Sequence, residues 1–424
     1  MPDGGDLIPA SGGWREGDHP GNRRFAELGS FDLELGGQLP AVRIAYETWG
    51  ELNADASNAV LLLHALTGDS HVVGPAGAGH RTAGWWDGLI GPDAPIDSRK
   101  WFVVAPNVLG GCQGSTGPSS LRDGLRDSSL RDGLRDSSLR DGLRDSSLRD
   151  GLRDSSLRSD DERQWGSAFP RITVRDQVAV EARLADQLGI STWASLVGGS
   201  MGAMRVLEWL VTYPSRTSSA LVLAVGATAT GDQIGTQSAQ LRAITSDPNW
   251  RGGDYYDAAD GEGPHEGMGL ARRIAHLTYR SAEELQLRFG NEAQDGENPL
   301  QDGRFAVQSY LDHQANKLAR RFDAGTYVAL TDAMNTHDVG RGRGGVAAAL
   351  GAITAPVIVA GVDSDRLYPL VLQRELADWI PTTVGGLRVV HSEFGHDGFL
   401  IERDAVGALV RETLAIADRV NARC

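Results

Sequence analysis

The chain has 424 residues, 41% of them hydrophobic, with 41 basic against 56 acidic side chains and a formal net charge of −15. That length exceeds what one compact domain usually holds, the apolar content suffices for a large core, and the acidic balance argues against nucleic acid or an anionic membrane as partner. The polar, acidic start at Met1-Pro2-Asp3-Gly4-Gly5-Asp6, the lack of an apolar run of bilayer length and the presence of only Cys112 and Cys424 argue against a secretory leader, a membrane anchor, a disulfide framework and a metal cluster, so a cytoplasmic enzyme is expected.

Taken along the chain, residues 58–69 read as a strand centred on Val60, Leu61, Leu62 and Leu63 that runs into the loop His64-Ala65-Leu66-Thr67-Gly68-Asp69. The glycine-rich stretch 110–117 lacks the lysine of a phosphate-binding loop and reads as a tight turn near the rim of a site. A nonapeptide, Ser-Ser-Leu-Arg-Asp-Gly-Leu-Arg-Asp, then recurs four times, beginning at Ser119, Ser128, Ser137 and Ser146, and breaks off after Arg158. Each copy balances two arginines against two aspartates, has only two leucines to bury, and contains a glycine that weakens any helix. Residues 119–158 are therefore expected to form a mobile surface loop rather than a partner-binding element.

Residues 192–197 suit a short buried strand, and Gly198-Gly199-Ser200-Met201-Gly202 fits the pattern G-x-S-x-G. A serine on so tight a strand-to-helix turn holds its hydroxyl above the sheet, and a Cβ at either outer glycine would clash. Residues 202–211 carry apolar side chains at helical spacing, and a strand at 220–225 follows, as a βαβ crossover requires. A glycine-rich turn in a purely structural βαβ unit is the plain alternative. The stretch 228–345 shows helical periodicity at 269–281, 282–289 and 306–322 and is too long for a crossover. It predicts a helical lid inserted into a catalytic domain formed by 1–227 and 346–424.

A serine hydroxyl is a poor nucleophile until a base takes its proton, so the elbow demands an acid and then a histidine further along the chain. The β-branched run 355–362 ends in Asp363-Ser364-Asp365, which places two acids at the carboxyl end of a strand, where sites in open α/β sheets lie. Strand-like residues 387–390 lead to His391 and then to His396 in a glycine-flanked loop; His396 is the preferred base and His391 the reserve. An oxyanion hole needs two backbone donors, each worth about 3 kcal/mol, and the N–H groups of Leu66 and Met201 are the candidates. The fold class expected is the α/β-hydrolase architecture, a mostly parallel sheet flanked by helices.

Further motifs narrow this reading. They are Tyr46-Glu47-Thr48-Trp49-Gly50, His64 to Asp69 as given above, Asn107-Val108-Leu109-Gly110-Gly111, Phe169-Pro170-Arg171-Ile172-Thr173, Ala271-Arg272-Arg273 with Tyr279-Arg280, Asp365-Arg366-Leu367-Tyr368-Pro369 and Gly395-His396-Asp397-Gly398. With them in this order, the chain resembles the homoserine O-acetyltransferase family over almost its whole length outside the repeats. The resemblance implies a two-step transfer in which acetyl-CoA, a co-substrate rather than a cofactor, acylates Ser200 and L-homoserine then takes the acetyl group, a step of methionine biosynthesis. It implies Ser200 as nucleophile, His396 as general base and Asp365, in preference to Asp363, as the orienting acid. It implies that Arg272 and Asp397 hold homoserine, a pairing that suits the chemistry: a guanidinium forks onto the α-carboxylate and an acid pairs with the α-ammonium. Tyr279, about two turns along the same helix, is a further candidate. A roofing lid and a homodimer are implied as well. Arg341 and Arg343 are candidates for the polyanionic donor, against a solvated loop. One departure stands beside the elbow: the family usually has glycine where Ala203 lies, and tolerance of the extra methyl is expected. Serine acceptors, succinyl donors, a plain esterase and a non-catalytic binding protein are the competing readings.

Overall fold

The computed structural model describes residues 7–122 and 163–422, so the expected loop character of nearly all the repeats lies outside the described residues. An eight-stranded sheet organises the chain. Its members are β1 (Arg24–Glu27), β2 (Arg43–Trp49), β3 (Ala59–Leu63), β4 (Phe102–Pro106), β5 (Ser195–Gly199), β6 (Ala220–Leu223), β7 (Val357–Val362) and β8 (Thr383–Val390), in the spatial order β1-β2-β4-β3-β5-β6-β7-β8. From β4 to β8 every neighbouring pair is parallel, and only β2 runs against the sheet. The expected class, α/β with a mostly parallel sheet, is what forms.

Helices α1 (Val174–Gln187) and α2 (Met201–Thr212) precede and follow β5; α3 (Gly231–Thr245), α4 (His265–Tyr279), α5 (Ala282–Phe289), α6 (Ala306–Ala319) and α7 (Ala324–Asn335) lie between β6 and β7; α8 (Leu370–Trp379) and α9 (Arg403–Asn421) come after β7 and β8. The two-residue period of the strands sends alternate side chains to opposite faces. Leu61, Leu63, Leu196, Val222 and Val357 join a core with α1 and α2, whereas Val60, Leu62, Val197, Leu221 and Ile358 join a second core with α9. Because both faces are covered, β3 and β7 are apolar without a break.

Several strands depart from the expected bounds: β6 stops at Leu223, short of 225, where Ala224 takes φ 52°, and β7 starts at Val357, not 355. β5 starts at Ser195 and runs through Gly199, because Gly198 and Gly199 are held in the ladder by β3 and β6 on either side, which outweighs their poor strand propensity. Trp193, expected inside the strand, makes only an isolated bridge to Thr217. β8 begins at Thr383, ahead of the apolar run, and its pairing with β7 shifts register where Gly385 and Gly386 take positive φ. The helix expected from Gly269 instead begins at His265 and stops at Tyr279, and the one expected to reach 322 stops at Ala319.

On either side of residues 123–162 the chain pairs with itself. Leu121 bridges Gln164 in antiparallel fashion, Arg122 N–H donates to the Arg163 carbonyl at 3.0 Å and Trp165 N–H to the Ser120 carbonyl at 2.9 Å.

Candidate active site

The elbow owes its shape to three contacts that admit no side chain. A Cβ on Gly198 would lie 2.6 Å from the Gly202 carbonyl, one on Gly202 would lie 2.0 Å from the Leu63 carbonyl oxygen, and one on Gly199 would lie 2.6 Å from the Phe399 ring. Helix α2 thus packs backbone to backbone on the end of β3. Ser200, between strand and helix, is held at φ 57° and ψ −127°, a strained conformation for a residue with a side chain. Ala203 is fully buried in the core behind the turn.

Three nearly buried side chains line up over this turn. His396 Nε2 lies 2.9 Å from Ser200 Oγ and His396 Nδ1 lies 2.6 Å from Asp365 Oδ2. The other Asp365 oxygen accepts the backbone N–H groups of Leu367 and Tyr368, both at 2.8 Å. With the carboxylate taking the Nδ1 hydrogen, Nε2 is left as acceptor for the serine proton. Burial favours the neutral ring, but the charge and hydrogen bond of Asp365, joined by the charge of Asp397, outweigh it and raise the His396 pKa above the ordinary histidine value. The reserve residues form a different pair: Asp363 meets His391 at 2.8 Å, with the His391 side chain 84% exposed.

The candidate oxyanion donors arise from neighbouring strand ends. Met201 opens α2, whose first amides have no carbonyl partner within the helix, and Leu66 lies just beyond β3, which pairs with β5. Arg321, after α6, donates from Nη1 to the Thr67 carbonyl at 2.8 Å and so ties that loop to the helical insertion.

The insertion also reaches the base. Gly395, with φ 65°, passes so near the end of α4 that a Cβ would lie 2.5 Å from the Tyr279 carbonyl oxygen, and Ser281 Oγ donates to the Glu393 carbonyl. The Tyr279 ring centroid is 6.0 Å from that of His396, and the Arg272 guanidinium carbon lies 5.6 Å from the Tyr279 ring. Arg272 Nε and Nη1 are buried and have no hydrogen-bond partner among the described residues. A guanidinium with unmet donors suits a carboxylate. Asp397 follows the base directly, with Oδ2 3.3 Å from Arg280 Nε. Burial pushes its carboxyl above the usual range, against the pull of Arg280, Arg272 and His396.

Sequence reasoning passed over Arg280 as the partner of Asp397, and Tyr368 and Phe399, whose rings lie 5.1 and 5.3 Å from His396. All three stand inside or beside the motifs singled out, so proximity to Asp365 and His396 was the available signal. Arg341 and Arg343 behave neither as free cations nor as a solvated loop: Arg341 pairs with Glu34 at 3.1 Å and Arg343 with the buried Glu208. Arg341 braces the segment against the loop between β1 and β2, and Arg343 braces it against α2.

Glu47, His71 and His80 bring ligand-type atoms within 4.8 Å of one another. Apart from the buried His80 Nδ1, the polar atoms of their side chains are already engaged. His71 Nδ1 meets Glu47 at 3.2 Å, His80 Nε2 accepts the Asn22 N–H at 3.1 Å, and burial with the nearby Arg23 charge lowers the His80 pKa to about 4. That donor set suits a hydrogen-bonded buttress better than a cation. Among the described residues no helix is long and apolar enough to cross a membrane.

The family model for the alpha/beta hydrolase fold matches residues 58–402. The homoserine O-acetyltransferase of Thermobifida fusca (strain YX) is 57% identical over 409 residues, which is 96% of this chain and 98% of that protein. Among solved structures, homoserine O-acetyltransferase from Bacillus anthracis is similar with TM-score 0.74 at 21% identity, over 92% of this chain and 97% of that one. An esterase structure, that of esterase E22, is similar with TM-score 0.74 at 22% identity, over 92% and 99%, and at such identities both likenesses speak for the fold alone. A serine relay on an elbow in this sheet, together with near full-length identity above half, shows that the chain belongs to the homoserine O-acetyltransferase family of the alpha/beta hydrolase fold.

Proposed function

We propose that the protein transfers the acetyl group of acetyl-CoA to the hydroxyl of L-homoserine, giving O-acetyl-L-homoserine for methionine biosynthesis. The observation that carries this reading is the unbroken Asp365–His396–Ser200 relay, with the Tyr279 ring standing between His396 and an Arg272 guanidinium whose buried Nε and Nη1 have no partner among the described residues. In the first half, Ser200 Oγ attacks the thioester carbonyl while His396 Nε2 takes its proton. The tetrahedral oxyanion faces the N–H groups of Leu66 and Met201, and its collapse expels the thiolate of coenzyme A, which takes the proton back from His396. In the second half, the homoserine hydroxyl gives its proton to His396 and attacks the acetyl ester, and collapse returns the proton to Ser200. Arg272 holds the α-carboxylate, Asp397 the α-ammonium, and Tyr279 fills the gap between Arg272 and the base.

The helical insertion 228–345 acts as the lid. An acyl-serine is open to hydrolysis, so a transferase must exclude water or present a well-held acceptor. The docking of Gly395 on α4 supports that role, since it places the lid against the loop that carries the base. The reaction so written needs no metal and no cofactor. Exposed Leu270 and Leu277, seven residues apart on one face of α4, support a homodimer that buries this face, and the reading places the enzyme in the cytoplasm.

Pure protein mixed with acetyl-CoA should release thiol continuously only when homoserine is added, and succinyl-CoA should give none. Continued release into water would identify an esterase instead. Ser200→Ala should carry no acetyl adduct by mass spectrometry, and an adduct persisting on that variant's elbow peptide would remove Ser200 as nucleophile.

A further inference from the structure

The Leu66 N–H depends on a peptide plane that the relay does not touch. His64, the first residue past β3, is buried, and its Nε2 accepts the Val108 N–H at 3.1 Å. Nε2 is therefore the bare nitrogen, and Nδ1 carries the hydrogen that is donated to the Ala65 carbonyl at 2.7 Å. Both bonds require a neutral ring, and burial together with the nearby Arg205 charge lowers its pKa to about 3. Gly68 N–H adds a second bond to the same Ala65 oxygen at 2.9 Å. The Ala65 C=O and the Leu66 N–H belong to one planar unit and point in opposite directions, so fixing the first aims the second.

The preceding plane is gripped from the nucleophile helix. Arg205, fully buried on α2, donates from Nη2 to the His64 carbonyl at 2.6 Å and from Nη1 to Glu181 Oε1 at 2.6 Å. Glu181, on α1, takes Trp209 Nε1 on its other oxygen at 2.8 Å. We infer that Arg205, clamped by Glu181, is a positioning residue for acyl transfer: it ties the His64 carbonyl to the helix that carries Ser200 and Met201, and so keeps the Leu66 N–H in register with the Met201 N–H. This rests on the oxyanion roles proposed above. A pair that served only to join α1 to α2 would need no bond to the loop after β3. Arg205 instead commits Nη2 to the His64 carbonyl, outside both helices.

Stability and positioning separate in a paired substitution. Arg205→Met with Glu181→Gln removes both buried charges together, keeps an acceptor for Trp209, and avoids the uncompensated charge that a single change would leave. The double variant should melt near the wild type. Its burst of thiol release from acetyl-CoA and its deacylation by homoserine should both slow about 10- to 100-fold, as expected for a displaced oxyanion donor. A boronic acid that forms a tetrahedral adduct on Ser200 should bind more weakly by a similar factor. The acid limb of the pH profile, which reports the untouched relay, should stay in place. A folded double variant with wild-type burst and boronate affinity would overturn the inference. Should the pair not fold, Arg205→Lys decides: it keeps a charge for Glu181 but not the fork that spans both acceptors. A folded lysine variant with a slowed burst and weakened boronate binding supports the inference, and one with wild-type values refutes it. Failure of the function itself looks different, because the wild type would then form no acetyl-Ser200 at all.

Discussion

His396 is subject to opposed influences, since burial expels its charge while Asp365 and Asp397 retain it, and the second wins. The sign for catalysis follows directly. Only the neutral ring can take the serine proton, so a raised pKa moves the onset of activity to higher pH, and kcat/KM for acetyl-CoA should climb through a midpoint above the ordinary histidine value of 6.5. Asp397→Asn removes one of the two charges that retain the proton, so its midpoint should move down, while KM for homoserine rises about tenfold or more as the ammonium loses a charged partner. A midpoint that stays put in Asp397→Asn would show that Asp397 does not act on the base. At this scale the relay was readable because its residue types occur in a fixed order along the chain. The choice of Asp365 over Asp363 was not readable from bare spacing. It depends on which acid accepts the Leu367 and Tyr368 amides and faces inward, while its neighbour two places earlier meets the exposed His391.

At the scale of elements, the site is a junction of β3, β5 and α2 that tolerates no added atoms. Gly202→Ala would set a methyl 2.0 Å from the Leu63 carbonyl oxygen, so either α2 or the loop past β3 must shift. Overpacking of this kind costs about 1–3 kcal/mol, and a shift of α2 moves its first residue, Met201, relative to the loop past β3. Thermal melting should fall and turnover should drop by well over tenfold; a variant with wild-type turnover would mean that the elbow is looser than its contacts imply. Glycine at such a turn is legible, because the pattern itself encodes the crowding. The Arg205 and Glu181 clamp is not, since its partners stand on α1, α2 and the loop after β3, far apart in sequence. Nor was the full length of β5 or β8, where pairing with neighbouring strands, rather than the residues' own propensity, decides the ends.

At the scale of the molecule, a long-range polar contact fastens the segment ahead of β1 to the helical insertion. Asp323, fully buried ahead of α7, accepts Ser11 Oγ and Tyr255 OH on one oxygen, both at 2.7 Å, and Tyr256 OH on the other at 3.0 Å. The repeats enter and leave at one place, where residues 120–122 pair with 163–165. Deleting residues 128–154, three nine-residue copies, keeps both sides of that stub and should leave melting temperature and turnover within a few-fold of the wild type. Loss of nearly all turnover in a folded deletion would give the repeats a role in the reaction. The stub also bears on how the gene can change. Because each copy is a whole number of codons and the hydrogen bonds between 120–122 and 163–165 involve no residue between 123 and 162, slippage during replication can add or drop copies without disturbing the reading frame or removing those bonds. The same closed gateway is where a foreign domain could be spliced in for labelling or tethering the enzyme.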